Sequence, residues 1–167
     1  MSGGVLYINN GEGFVNEARI SAESLKEQNP EIKAAIITDQ EEVPDIFDKH
    51  IRVDDPNPEV ISKVRNLEDT PFKKTIFIDS DIYVDGDISD LFEILDEFDL
   101  ACAHASRRTG LRDEAPESFP LFNTGVIAFR KNQRTERFLQ YWKEKYMQEA
   151  EGNSREIETE EGLKKKP

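Results

Sequence analysis

Cysteine is nearly absent: Cys102 stands alone among 167 residues, so no internal disulfide can form. Its setting in LACAH (Leu100–His104) reads as a buried strand, where a free thiol behaves as a small hydrophobe. No apolar run approaches the roughly twenty residues a bilayer requires, and the opening MSGGVLYINN lacks the charged start and apolar stretch of a signal peptide. The chain is therefore expected to be cytoplasmic, with no transmembrane segment. Positive charge is also scarce. Lys and Arg number 22 against 35 Asp and Glu, a formal charge of −13, which excludes a nucleic-acid partner.

What is present suffices for one domain with a core and not for two. Mean hydropathy is −0.68 and 34% of residues are charged, yet the apolar residues sit in short, separated runs, the pattern of an ordered interior beneath a charged surface.

Val5–Asn9, bounded by Gly3-Gly4 and Asn10-Gly11, reads as a strand. Phe14, Ala18, Ala22 and Leu25 recur at spacings of four, four and three, one face of a helix that Asn29-Pro30 stops. Ile32–Thr38 is a second strand, apolar enough to be covered on both faces, and it ends at Asp39. A short strand is expected at His50–Val53, with Pro56 and Pro58 closing that connection. Val60, Ile61, Val64 and Leu67 have helical spacing, and Thr75–Ile78 forms a third strand running into Asp79-Ser80-Asp81.

Ile88, Leu91, Phe92, Leu95 and Phe98 predict an amphipathic helix with Asp87 as N-cap. Leu100–Ala103 and Thr124–Phe129 follow as strands, separated by Ser106–Pro120, which reads as a long loop over a site. Phe138, Tyr141, Trp142 and Tyr146 give the last helix an aromatic stripe expected to be plain core. Residues 149–167, rich in Glu, are expected to be a charged, flexible tail behind a domain of residues 1–148. The alternation of strands and helices predicts an α/β protein, a three-layer α/β/α sandwich around a mainly parallel, Rossmann-like sheet.

In such a sheet ligands gather beyond the carboxyl ends of the strands, where Asp79 and Asp81 fall. Two residues apart in extended chain, they project to one side and can share a cation. Carboxylate oxygens suit Mg²⁺ or Mn²⁺, and such ions bridge to phosphate oxygens, so a diphosphate-bearing substrate would complete the shell. A solvated turn is the bland alternative. A second functional one is a haloacid-dehalogenase-type phosphatase, whose strand also ends in Asp-x-Asp with the first Asp as nucleophile. Against it, Ile82-Tyr83-Val84 follows the pair and two strand–helix units precede it.

The order of motifs resembles the GT-A-type glycosyltransferases, specifically the glycogenin and bacterial galactosyltransferase family. TPFKKTIFIDSDIYV (Thr70–Val84) is similar to the segment leading through that family's Asp-x-Asp metal motif. Lys63 precedes Asp79 by 16 residues, the interval at which the family places a lysine that approaches the donor diphosphate. Phe122-Asn123-Thr124-Gly125-Val126 resembles its Phe-Asn-Ser/Thr-Gly-Val motif, whose Asn contacts the donor sugar. Tyr7–Lys26 parallels its nucleotide-binding strand, turn and helix, and the resemblance spans about residues 5–147.

The resemblance implies that Asn9 and Asn10 lie near base and ribose and that Phe14 stacks on uracil. It implies that Asp79 and Asp81 hold Mn²⁺ or Mg²⁺, and that Lys63, Ser80, His104, Asn123 and Gly125 border the donor. The implied activity is retaining transfer of a sugar from a nucleotide diphosphate, UDP-linked, to a sugar, lipid or protein acceptor. Each residue keeps a plainer reading: Phe14 can open the apolar face of its helix, Lys63 can be solvated, and Asn123 can cap a turn.

Three features depart from the family. No His-Gly-Lys motif follows the last helix to supply a third metal ligand, and the Asp-Gln pair expected there is missing. Where the family often carries an aspartate that holds sugar hydroxyls, this chain presents His104. A non-catalytic or truncated nucleotide-sugar-binding domain therefore stands beside the enzyme as an alternative.

Overall fold

The computed structural model of the chain describes residues 3–54, 59–105 and 121–164, with the backbone alone described at 59, 60 and 151–164. The expected loop Ser106–Pro120 and the prolines Pro56 and Pro58 lie outside the described residues. The elements are β1 (Gly3–Ile8), α1 (Glu12–Gln28), β2 (Lys33–Thr38), β3 (Lys49–Arg52), α2 (Glu59–Asn66), a 3-10 turn (Leu67–Asp69), β4 (Lys74–Ile78), α3 (Asp90–Glu97), β5 (Leu100–His104), β6 (Phe122–Arg130) and α4 (Gln133–Lys164).

The six strands pair in the order β3-β2-β1-β4-β6-β5. β1 through β4 run parallel, β6 is antiparallel to both β4 and β5, and β5 therefore points with the first four. The mainly parallel α/β sheet is thus present, with one reversed strand.

Strand side chains alternate between the faces, and two cores follow from that period of two. Val5, Tyr7, Ala34, Ile36, Ile76, Ile78 and Ala128 meet Val15, Ala18, Ala22 and Leu25 of α1 and Leu95 of α3. Leu6, Ile8, Ala35, Ile37, Phe77, Ile127 and Phe129 meet Leu67 and Leu139 of α4 on the other face. These are the three layers.

Several local expectations are corrected. β1 starts at Gly3 because Gly4 pairs with Lys33 and Thr75 and has no Cβ. A Cβ there would lie 2.4 Å from the Phe72 ring. On α1 the buried face begins at Val15, and Phe14 is 41% exposed. α3 begins at Asp90 with Ser89 in the cap position, since Asp87 accepts from the Ser89 amide and hydroxyl and closes a turn before the helix.

Phe138 and Tyr141 are exposed, whereas Trp142 packs with the buried Leu139 against the core, so the stripe is core only in part. Together with Trp142, Phe122, Leu100 and Cys102 those two rings line an open apolar groove between α4 and the outer strands. Cys102 is half-buried, and burial pushes its thiol above the ordinary value. The backbone of 149–164, expected as a tail, continues α4, because its Glu and Lys residues are good helix formers that extend a helix already nucleated by packing. No helix among the described residues is long and apolar enough to cross a membrane.

Candidate functional site

β1 sits between β2 and β4, and the chain reverses its course across the sheet there: α1 leads from β1 to β2 on one side, and α2 leads from β3 back to β4 on the other. Beyond the carboxyl ends of β1 and β4 the loops diverge and leave a crevice. The crevice is a cleft of about 180 Å³ lined by Ile8, Asn9, Glu17, Lys63, Asp79, Ser80 and Asp81. Of the ten residues singled out from sequence, Asn9, Lys63, Ser80, Asp79 and Asp81 thus share one cavity.

Lys63 reaches the cleft from α2. It is a buried residue whose Nζ donates to Asp79 Oδ1 at 2.7 Å and to the Thr124 carbonyl at 3.1 Å, while lying 4.9 Å from the Phe77 ring centroid. The plain reading of a solvated helix lysine is set aside by that burial. A buried ammonium needs charged or carbonyl partners, and Asp79 with the Thr124 carbonyl supplies both kinds.

Asp79 is fixed from the other side too, its amide donating to the Gly125 carbonyl at 2.8 Å. A bulge explains why β6 offers these carbonyls. Cys102 faces Ile127 and Ala103 faces Asn123, so Thr124–Val126 have no counterpart on β5, and the strand bends toward β4 there. Gly125 is needed at this spot, since a Cβ would stand 3.0 Å from Asn123 Oδ1 and 3.3 Å from Asp79 Oδ2.

Asn123 is exposed and its Oδ1 accepts from the Gly125 amide at 2.7 Å, so it does cap the local turn. His104, at the end of β5, stacks edge-on against Phe122 with centroids 5.7 Å apart and is exposed. Both stand on the same end of the sheet as the cleft, outside its lining. Asn10 is buried and its Nδ2 donates to Ser62 of α2 at 3.1 Å, tying the β1 exit to the helix that carries Lys63. Phe14 lies two residues into α1 from Glu12, exposed and available to a flat ligand.

Asn9 is 4% exposed and its Oδ1 has no hydrogen-bond partner among the described residues. A buried carbonyl oxygen left so is costly and asks for a donor from outside the chain. Gly11, at φ +84°, makes the turn from β1 into α1 directly after Asn9 and Asn10.

Sequence reasoning missed two acids. Glu17 lines the cleft and accepts from the Ser80 hydroxyl at 3.4 Å, and its signal was its place three residues after Phe14, on the same helix face. Asp39, directly after β2, accepts from the Gly11 amide and the Gln40 side chain, each at 2.8 Å. Partial burial opposes its charge, yet the bonds from Gln40 and Gly11 hold its carboxyl below the ordinary range.

A divalent ion suits the donor set only in part. Asp79 and Asp81 present hard oxygens, but Asp79 Oδ1 is engaged by Lys63, and no cluster of three or more His, Cys, Asp or Glu able to hold a metal occurs among the described residues. The set fits an ion whose remaining positions come from ligand phosphate and water, the usual manner of Mg²⁺.

No family model matches the chain, and no curated protein matches it by sequence. Solved structures do. The apo-form glycosyltransferase GlyE of Streptococcus pneumoniae TIGR4 superposes with a TM-score of 0.60 at 20% identity, over 84% of this chain and 37% of that one. The galactosyltransferase LgtC, in complex with donor and acceptor sugar analogs, gives 0.56 at 11% identity over 84% of this chain and 59% of its own. The bifunctional IspDF of Campylobacter jejuni gives 0.51 at 17% identity over 77% of this chain and 41% of its own. The chain thus spans between 37% and 59% of the lengths of these neighbours. At such identities the likeness is one of fold, and it agrees with the strand order and the crevice beside β1: the chain has the fold of the GT-A-type glycosyltransferases.

Proposed function

We propose that the cleft binds the diphosphate of a UDP-linked sugar and that the protein transfers that sugar to an acceptor, with retention of configuration at the reacting carbon. The observation that carries this reading is the convergence of Lys63, Asp79 and Asp81 on one crevice that Asn9 also lines. A fold likeness to glycosyltransferases supports it.

In this reading Asp79 and Asp81 would hold Mn²⁺ or Mg²⁺, which supplies charge neutralisation to the departing nucleotide diphosphate. Lys63 brings a point charge to the same leaving group, and because it is already ion-paired and buried, it needs little reorganisation to do so. Asn9 offers its carbonyl to a ligand N–H or O–H, a uracil imide being one such donor. Phe14 gives the base an exposed ring face. Asn123, Gly125, Ser80 and His104 border the sugar, with Asn123 as the hydroxyl contact.

The test is calorimetric titration of UDP with and without Mn²⁺, on the wild type and Asp81→Ala, followed by assay of UDP-glucose hydrolysis or transfer. Mn²⁺-dependent binding lost in the variant is the expected result. Hydrolysis then marks an enzyme. Failure of UDP to bind under any metal condition overturns the reading.

A further inference from the structure

α1 buries two serines in a face otherwise made of Val15, Ala18, Ala22 and Leu25. Serine inside a helix lowers helix propensity, and a buried hydroxyl must find partners, so two on one apolar face call for an explanation. Their partners are backbone groups of the segment that follows Asp81. Ser21 Oγ donates to the Ile82 carbonyl at 2.5 Å, and Ser24 Oγ accepts from the Val84 amide at 2.9 Å. Asn29, at the end of the same helix, donates to the Gly86 carbonyl at 2.9 Å and accepts from the Ile88 amide at 3.0 Å.

Every second residue from 82 to 88 is therefore held by a side chain of α1 or its cap, as a neighbouring strand would hold it. Val84 is buried, and Ile82 and Ile88 pack on the same core. Ser21 spends its proton on Ile82, so in its 3.2 Å bond to Tyr7 the phenol is the donor. Burial pushes the Tyr7 hydroxyl up to about 12, so it keeps that proton. The Ile82 amide in turn donates to the Asp79 carbonyl at 3.2 Å, closing the Asp79–Ile82 turn.

We infer that Ser21, braced by Tyr7, is a positioning residue that sets the Asp79–Ile82 turn and with it the placement of Asp81 for a cation–nucleotide complex. The inference rests on the reading of this cleft given above. The turn has one anchor at each end. Asp79 is laddered to Gly125 at its start, and Ile82 is tied to Ser21 at its finish; Asp81, exposed and directly before Ile82, follows the second anchor. Losing the Ser21 hydroxyl frees the finish and leaves the start in place.

The experiment compares wild type, Ser21→Ala, Tyr7→Phe and, as a control, Thr75→Val. Thr75 shares an equally buried hydroxyl pair with Thr70 at 2.7 Å at the opposite end of β4, away from the cleft. Each protein is followed by thermal melting and by electron paramagnetic resonance of free Mn²⁺ during titration in the presence of UDP. The expected result is a Kd for Mn²⁺ with UDP raised about fivefold in Ser21→Ala and by a smaller factor in Tyr7→Phe, the loss of about one hydrogen bond. Thr75→Val is expected to melt earlier with its Kd unchanged within about twofold, a separation that a purely structural role would not produce.

Equal Kd values in wild type and both clamp variants overturn this inference alone, as does a control that weakens Mn²⁺ binding to the same degree. A wild type that binds no Mn²⁺ with UDP overturns the reading of the cleft together with this inference. Should Ser21→Ala fail to fold, Tyr7→Phe, which keeps the ring and its packing, decides.

Discussion

Lys63 and Asp79, sixteen positions apart, form an ion pair at 2.7 Å across the mouth of the β1–β4 crevice. The lysine side chain is 11% exposed and the aspartate 36%. The pair gives Lys63 opposite effects on two ligands. Lys63→Met keeps the length of the stem, removes the charge and frees Asp79 Oδ1. Mn²⁺ alone is expected to bind about twofold to fivefold tighter, and UDP about tenfold weaker, because the ion loses a competitor and the diphosphate loses a cation. Calorimetry of each ligand separately reads both signs, and a parallel loss of both would refute the assignment.

Asn9 carries a cost in the free protein. Its buried carbonyl oxygen has no partner among the described residues, so Asn9→Leu, near in volume, is expected to leave stability unchanged or raise it by about 1 kcal/mol. UDP affinity is expected to fall about tenfold in the same variant. Chemical denaturation and titration on one preparation test the pair of outcomes, and a large loss of stability would show that the oxygen is satisfied after all.

Gly125→Ala puts a methyl group 3.0 Å from Asn123 Oδ1 and 3.3 Å from Asp79 Oδ2. Both neighbours are site side chains that have to give way. The expected result is a melting temperature within a few degrees of wild type and UDP binding weakened at least about fivefold. A binding constant that does not move would remove both side chains from the donor site.

Asp48 lies at the other end of the sheet and governs acid stability. It accepts from Lys26 at 2.6 Å, Lys33 at 2.7 Å and the Ala34 amide at 2.9 Å. Desolvation opposes its charge, but Lys26, Lys33 and Ala34 together hold its carboxyl far below the usual carboxylate range. A depressed folded-state value contributes stability that is present above the unfolded value, about 3.9, and is lost as pH falls below it. Asp48→Asn is expected to cost about 2 kcal/mol at pH 7, a deficit that stays constant to about pH 5 and narrows below pH 4. Urea unfolding across that range provides the check; a deficit independent of pH would contradict it.

The frame of the fold was legible because Ala34–Ile37 and Ile76–Ile78, within the parallel strands β2 and β4, are buried on both faces and read as short unbroken apolar runs. Asp79 and Asp81 were legible for a related reason, since acids directly after such a run sit at the strand end. Less could be read of β6. Phe122, Asn123 and Thr124 are exposed, and nothing in their composition announces a reversed direction or a bulge. Phe14 and Val15 show the limit of helical periodicity, because a shift of one residue rotates the buried face by about 100° and exchanges a core aromatic for an exposed one. Glu17 and Ser21 were passed over because their meaning lies in what a distant segment does, Ser80 for one and Ile82 for the other.

The reversed direction of β6 bears on the stiffness of the cleft. A parallel strand delivers its residues to a site at the end of its ladder: the Asn9 amide makes a last bond to the Ile37 carbonyl at 3.0 Å, and Asp81 stands on the turn after β4. β6 instead enters the sheet at the site, and Gly125 accepts from Asp79 as an extension of the Ile78–Val126 pairing. Asp79 thus moves only when the sheet itself opens, whereas Ser80 and Asp81 lie between that ladder and the Ser21 bond to Ile82. In native-state hydrogen exchange the Asp79 amide, bonded to that ladder, is expected among the slow set, with the amides of Ser80 and Asp81 exchanging through local fluctuation. The fixed position of Asp79 then comes from the orientation of a single strand.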